Sequence, residues 1–247
     1  MQLFPTIELQ DGKCVSLNSG RLGEPSIWHV DVLEKAQEFA DAGAGWIQVT
    51  DFDAIVGSDT SRALVESVIR QTPASVQVGG GIRTLDQIAR WIDFGAGRVV
   101  IGTAATLDPA FVQQAALHYP DQIVLAVDVW EGKVMNHGWT EKTAFDPVDF
   151  GKRFDDDPLA AILFTDIDQE VRRTEAGLAR VTAFARALRN PVIARGHVSE
   201  LDDISKLKYV YNVDGAVIGR ALFEKTIDLG EALDVAQPEP EPVAAFQ

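Results

Sequence analysis

The second half of this chain repeats the first. Ile7 to Val15, IELQDGKCV, lines up with Val127 to Met135, VDVWEGKVM, through a shared acid-glycine-lysine core that also sets Glu8 on Asp128. Val49 to Asp53 (VTDFD) matches Phe164 to Asp168 (FTDID), and Gly80 to Ile88 (GGIRTLDQI) matches Gly196 to Ile204 (GHVSELDDI). Val99 to Ala104 (VVIGTA) then matches Ala216 to Ala221 (AVIGRA). The order is kept and the spacing drifts by only a few residues, which points to two fused copies of one half-length unit.

The repeated blocks lie in a regular alternation. The β-branched apolar runs LFPTIEL, GWIQVTD, ASVQVGG, GRVVIGT, QIVLAVD, AAILFTD, NPVIARG and DGAVIGR read as eight buried strands of parallel type. Apolar residues at helical spacing lie between them, as at Val32 to Ala42, Ser61 to Gln71, Leu85 to Phe94 and Gly177 to Leu188. Residues 1–235 are therefore expected to form one α/β domain, a (β/α)8 TIM barrel with an internal twofold half-barrel repeat; a doubly wound open sheet is the alternative. Four βα units cannot bury their faces alone, so the copies close on each other and matched loops face one another across the barrel mouth. Residues 236–247, AQPEPEPVAAFQ, carry no hydrophobic period and read as a disordered Pro/Glu-rich tail.

Composition limits what such a barrel can bind. A formal charge of −15 repels polyanions, so neither nucleic acid nor an anionic membrane is an expected partner. No apolar run is long enough to span a bilayer and the N-terminus has no basic-then-apolar pattern, so a cytoplasmic location is expected. Cys14 is the only cysteine and the four histidines lack zinc-site spacing, so no disulfide and no metal are expected. The chain is expected to be a monomer.

The C-terminal strand ends carry the chemistry in barrels of this kind. Glu8 ends the first strand and Asp128 the fifth, so they face each other, and two carboxyls over one cleft suit a reaction in which one removes a proton and the other supplies one. The alternative is that each caps a loop or pairs with Lys13 or Lys133. In VGGGIR, the bare Gly80 and Gly81 allow backbone N–H groups to approach an anion at a helix start. Gly102 and Thr103 of IGTA add donors to the same cradle, and Gly196 with Gly219 and Arg220 forms its twin. Two opposed anion sites with acids between them describe a long small molecule with a phosphate at each end. The Asp51/Asp53 and Asp166/Asp168 pairs read as ordering loops or holding hydroxyls rather than a metal.

These residues resemble the phosphoribosylformimino-aminoimidazole carboxamide ribotide (ProFAR) isomerase family of histidine biosynthesis over about residues 3–235. The resemblance rests on IELQDGKCV, VQVGGGIRTLDQI, VVIGTAA, AVDVWEGKV, HGW, TDID and VIGRAL. It implies a cofactor-free Amadori rearrangement of a phosphosugar, from aminoaldose to aminoketose. By the same resemblance Glu8 is the base at the sugar C2 proton, Asp128 protonates the ring oxygen, and Thr165 supports the chemistry. Trp139 of HGW either stacks on the substrate imidazole or serves as a buried aromatic lid.

The chain departs from the family pattern at several places. Glu8 stands where aspartate is usual, and Ser16 where an arginine follows the DGK motif. The loops after TDID read Gln169-Glu170-Val171 and Glu175-Ala176-Gly177, with Arg172 and Arg173 between. ASGGV becomes ARGHV, so Arg195 and His197 flank Gly196. Arg195 is expected either to grip an anion or to turn outward toward Glu200 or Asp202; His197 is either a turn residue or a proton carrier. Two readings follow: a working isomerase, or one acting on a related phosphosugar, whose second phosphate is held by Arg195, Arg172 or Arg173, or a non-catalytic paralogue that keeps one phosphate site as a sensor or binding protein. The sister cyclase that works with a glutaminase is a third, for which aspartate is expected at both strand ends.

Overall fold

The computed structural model describes residues 1–18, 21–168 and 176–238. Arg172, Arg173, the loop at Val171 and the end of the tail lie outside the described residues. In chain order the strands are β1 (Gln2–Gln10), β2 (Lys13–Asn18), β3 (Arg21–Trp28), β4 (Trp46–Asp51), β5 (Ser75–Gly79), β6 (Arg98–Ile101), β7 (Ile123–Trp130), β8 (Lys133–Asn136), β9 (Glu141–Lys142), β10 (Ala161–Asp166), β11 (Val192–Arg195) and β12 (Val213–Ile218). Parallel pairing runs β1, β4, β5, β6, β7, β10, β11, β12 and back to β1, which closes the sheet. The fold is thus the (β/α)8 barrel, and the open sheet is excluded.

A helix follows each barrel strand and covers it. They are Val32–Asp41, Arg62–Gln71, Leu85–Phe94, Pro109–His118, Pro147–Lys152, Ala176–Ala187, Leu201–Leu207 and Leu229–Ala236. The four expected from helical spacing appear within a residue of their predicted ends. Their termini are chemically marked: Asp31 accepts from the Leu33 and Glu34 amides, Thr84 and Gln87 form a capping box, and Gly95 closes its helix at φ 115°. The last helix reaches Ala236, whose carbonyl accepts from the Met1 ammonium at 3.0 Å, so the helix runs one residue past the expected domain end at 235.

Period-two alternation sorts the strands into two cores. Leu3, Ile7, Val99, Val127, Phe164 and Ala216 face the helices in one cluster, where Phe164 stacks on Phe184 at 4.3 Å. Phe4, Val100, Val124, Leu163, Ile193 and Val217 fill the barrel interior, with Trp46 tilted against Phe4 at 6.0 Å. The interior is packed at this end and polar at the other.

Two hairpin insertions were not expected from the sequence pattern. After β1 the chain turns back through β2 and β3, and after β7 it turns back through β8, which pairs with the short β9. Asp11-Gly12 (φ 50° and 68°) and Glu131-Gly132 (φ 47° and 71°) make both two-residue turns in the left-handed region. The acid-glycine-lysine core of the first repeat block is therefore hairpin chemistry on the far side of each catalytic candidate.

Candidate active site

The alternation that puts Phe4 inside the barrel also carries Thr6 and Glu8 inward on β1, and likewise Asp128, Thr165 and Arg195 on β7, β10 and β11. Strand register places Asp128 beside Thr165 and Thr165 beside Arg195, so these three form a row along the rim. Glu8 lies beyond β12, which pairs with β1 through Pro5 and Ile218. The structure thus brings the expected catalytic residues to one mouth of the barrel.

The two carboxyls sit in different surroundings. Burial pushes the Asp128 carboxyl above the ordinary aspartate range, and the Thr165 and Trp139 side chains beside it and the more distant Arg195 charge pull it back. Thr165 is wholly buried, and among the described residues its hydroxyl makes no hydrogen bond of ordinary geometry. Glu8 is also pushed up by burial, but cations oppose the shift: Arg195 first, then Arg220, with a hydrogen bond from the Leu17 backbone. Arg195 Nη2 donates directly to Glu8 Oε1, and both side chains are about nine-tenths buried. Removing one partner of such a pair leaves the other charge buried and costs about 3–5 kcal/mol. Arg195 has therefore turned inward onto a carboxylate, instead of outward toward solvent.

Two clefts meet at Arg195. One, of about 800 Å3, contains Gly80, Gly81, Gly102, Thr103, Asp128 and Trp139; the other, of about 740 Å3, contains Glu8, Gly196, Gly219 and Arg220. The expected phosphate-loop residues thus gather as two sets, one on each side. The glycines themselves have separate reasons for being bare. A Cβ on Gly80 (φ 118°) would lie 2.1 Å from the Asp51 carbonyl oxygen, and one on Gly81 (φ 65°) 2.3 Å from that of Ala54. Close backbone packing alone demands glycine there. A Cβ on Gly102 would meet only the Ala126 Cβ, at 3.7 Å, so packing does not explain that glycine. Arg220 donates to the Leu17 carbonyl at 3.0 Å from the start of the short helix Arg220–Phe223.

Trp139 rides on a strained loop. His137, Gly138 and Trp139 all have positive φ, at 48°, 63° and 70°, and non-glycine residues held there cost about 1–2 kcal/mol each. Thr103 Oγ1 fixes the loop by accepting from the His137 amide at 2.9 Å. Trp139 packs on Val15, Leu17 and Phe52, and the Arg195 guanidinium lies 5.4 Å from its ring centroid. The residue is half-buried against that cluster and also lines the cleft that holds Asp128.

The paired aspartates order loops. Asp53 accepts from the Asp11 amide (3.0 Å) and from Ser61 Oγ (2.5 Å), while Asp168 accepts from the Glu131 amide (2.6 Å), so each ties down one hairpin turn. Asp166 pairs with Arg180 at 2.7 Å. His197 lies 4.0 Å from Asp166 and is pushed down to about 4 by burial, which leaves it neutral against Phe164. The buried interior amides Gln48 and Gln77, joined at 2.6 Å, escaped the sequence reading; a polar residue at an inward position of an apolar strand was the available signal.

The family described as "Histidine biosynthesis protein" matches residues 2–228. A protein of Ruegeria sp. strain TM1040 called 1-(5-phosphoribosyl)-5-((5-phosphoribosylamino)methylideneamino) imidazole-4-carboxamide isomerase 1 is 52% identical over 100% of both chains. An isomerase 2 of the same description from Ruegeria pomeroyi is 49% identical over 100% of both chains. The isomerase so described in Paracoccus denitrificans is 39% identical over 94% of this chain and 98% of its own.

Proposed function

The chain belongs to the histidine biosynthesis protein family, and on that premise we propose that it is a ProFAR isomerase with Glu8 as base and Asp128 as acid. The observation that carries the assignment is the unequal setting of two buried carboxyls over one mouth. Burial raises both carboxyls, but Asp128 has mainly neutral donors about it, which suits a group that must hold a proton to give away. Glu8 has two cations about it, which suits a group that must be ionised to receive one.

The substrate named for the relatives carries two phosphoribosyl groups, and the two clefts either side of Arg195 match such a molecule in number. Gly102 and Thr103, with Gly80 and Gly81, hold one phosphate; Gly196, Gly219 and Arg220 hold the other. Asp128 protonates the ring oxygen as the C1–O bond breaks, and the glycosidic nitrogen lone pair forms C1=N. Glu8 then takes the C2 proton, the C–H pair forms C1=C2, and the nitrogen is neutralised. Return of a proton to C1 and loss of the 2-hydroxyl proton complete the ketone. Thr165 steadies the Asp128 carboxyl through this cycle.

Purified protein supplied with ProFAR tests the reading, beside Glu8→Gln and Asp128→Asn. The expected result is turnover by the parent and a loss of about 100- to 10,000-fold in either variant. A parent that binds the bis-phosphate without converting it is the non-catalytic paralogue instead.

A further inference from the structure

We infer that Arg195 is the positioning residue for the proposed base: it clamps the Glu8 carboxylate from across the end of β12 and braces the clamp on Trp139. The inference rests on the reading of Glu8 as base. Arg195 stands on β11 and Glu8 on β1, with β12 between them, so their backbones are about two strand spacings, roughly 9–10 Å, apart. Only long side chains span that gap. Gly219 follows the end of β12 without a side chain, and a Cβ there would lie 2.8 Å from Thr6 Cγ2, so nothing at this rim position competes for the space.

The guanidinium holds two partners at once. It donates to Glu8 Oε1 and lies over the Trp139 ring at 5.4 Å, and it borders both clefts. The other ionisable groups bordering the Glu8 cleft are Arg220, Glu224 and His197, with Cys14 near Glu8 on β2. Arg220 is engaged with the Leu17 carbonyl at 3.0 Å and with Glu224 at 3.8 Å, and His197 is buried beside Asp166. Arg195 donates directly to the carboxylate. A glutamate at position 8 reaches the guanidinium, and an aspartate would set its carboxylate one methylene further back. Length at position 8 and charge at position 195 thus work as a pair.

The pair carries a consequence for the reaction. A base held at one oxygen keeps the other aimed at the mouth, and a displacement of about 1 Å costs about a hundredfold in rate. Arg195→Met should lower kcat about a hundredfold with KM changed less than about threefold. The acid limb of the kcat/KM profile should move to higher pH by one unit or more, because loss of an adjacent opposite charge favours the protonated carboxyl. Arg195→Lys should recover part of both, and Glu8→Asp should lose activity in the parent but little more in Arg195→Met.

A readout independent of turnover separates this inference from the isomerase reading. In 13C-glutamate-labelled protein, with Glu8→Gln to assign the signal, the Glu8 carboxyl should titrate at higher pH in Arg195→Met than in the parent. An unmoved midpoint together with an unmoved acid limb overturns the inference even if the parent is an active isomerase. A moved midpoint in a parent that turns nothing over leaves the pair standing and removes the assigned function. Circular dichroism and melting of Arg195→Met, beside Arg195→Lys, exclude a folding defect as the cause.

Discussion

Replacing two glycines of the same cleft one at a time separates what packing requires from what a ligand requires. Gly80→Ala puts a methyl group 2.1 Å from the Asp51 carbonyl oxygen at a residue with φ 118°. The conformation costs about 1–3 kcal/mol and the overlap about 1–3 kcal/mol more. Asp51 cannot retreat, because it ends β4 and its side chain caps the next turn by accepting from the Ala54 amide at 3.0 Å. A total near 4 kcal/mol in a chain of this size lowers Tm by about 10 °C. Gly102→Ala meets only the Ala126 Cβ at 3.7 Å, has a negative φ, and should cost roughly 1 kcal/mol or less. Its methyl group points into the 800 Å3 cleft, so it should raise KM about tenfold, the equivalent of 1.4 kcal/mol. Thermal melts and steady-state kinetics on the two variants decide the matter. A Gly80→Ala protein that melts with the parent refutes the packing argument, and a Gly102→Ala protein with an unchanged KM removes this loop from the phosphate site.

Other outcomes follow from the same geometry. Asp128→Asn should raise Tm at neutral pH while removing activity: a carboxyl whose native pKa is raised gives full stability below about pH 4 and loses it as pH rises through the native value, so the gain should vanish in acid. Asp53→Ala should cost about 2 kcal/mol and speed exchange of the Asp11 amide, because Ser61 and that amide lose their acceptor; equal exchange rates would show that the turn holds by itself. Cys14, fully buried with its thiol pushed up to about 12, should resist thiol reagents at pH 8 until the protein unfolds. Labelling of the native protein at the unfolded rate would contradict the packing of β2 against β1.

Much of the barrel could be read directly from the chain because its causes are local. Strand identity follows from β-branched runs, and the inward parity of Glu8, Asp128, Thr165 and Arg195 follows from counting in twos from Phe4, Val124, Leu163 and Ile193. The sequence match sets Glu8 on Asp128; among the matched positions, Asp11-Gly12 and Glu131-Gly132 turn alike, and Gly102 and Gly219 take nearly the same φ and ψ. The hairpins are not legible in the same way, because the acid-glycine-lysine core that makes their turns reads first as the signature of the repeat.

By itself, then, the sequence determined that eight βα units close into a barrel and which side chains reach its mouth, since alternation and hydrophobic period act over a few residues. Partner choice was a matter for tertiary structure. Whether Arg195 meets solvent, phosphate or carboxylate depends on two strands that are neighbours of β12 in space but lie nearly two hundred residues apart in the chain. Whether a glycine is bare for a ligand or for the Asp51 carbonyl depends likewise on a loop from another unit. Distances of that kind are set by closure of the sheet, and no local pattern encodes them.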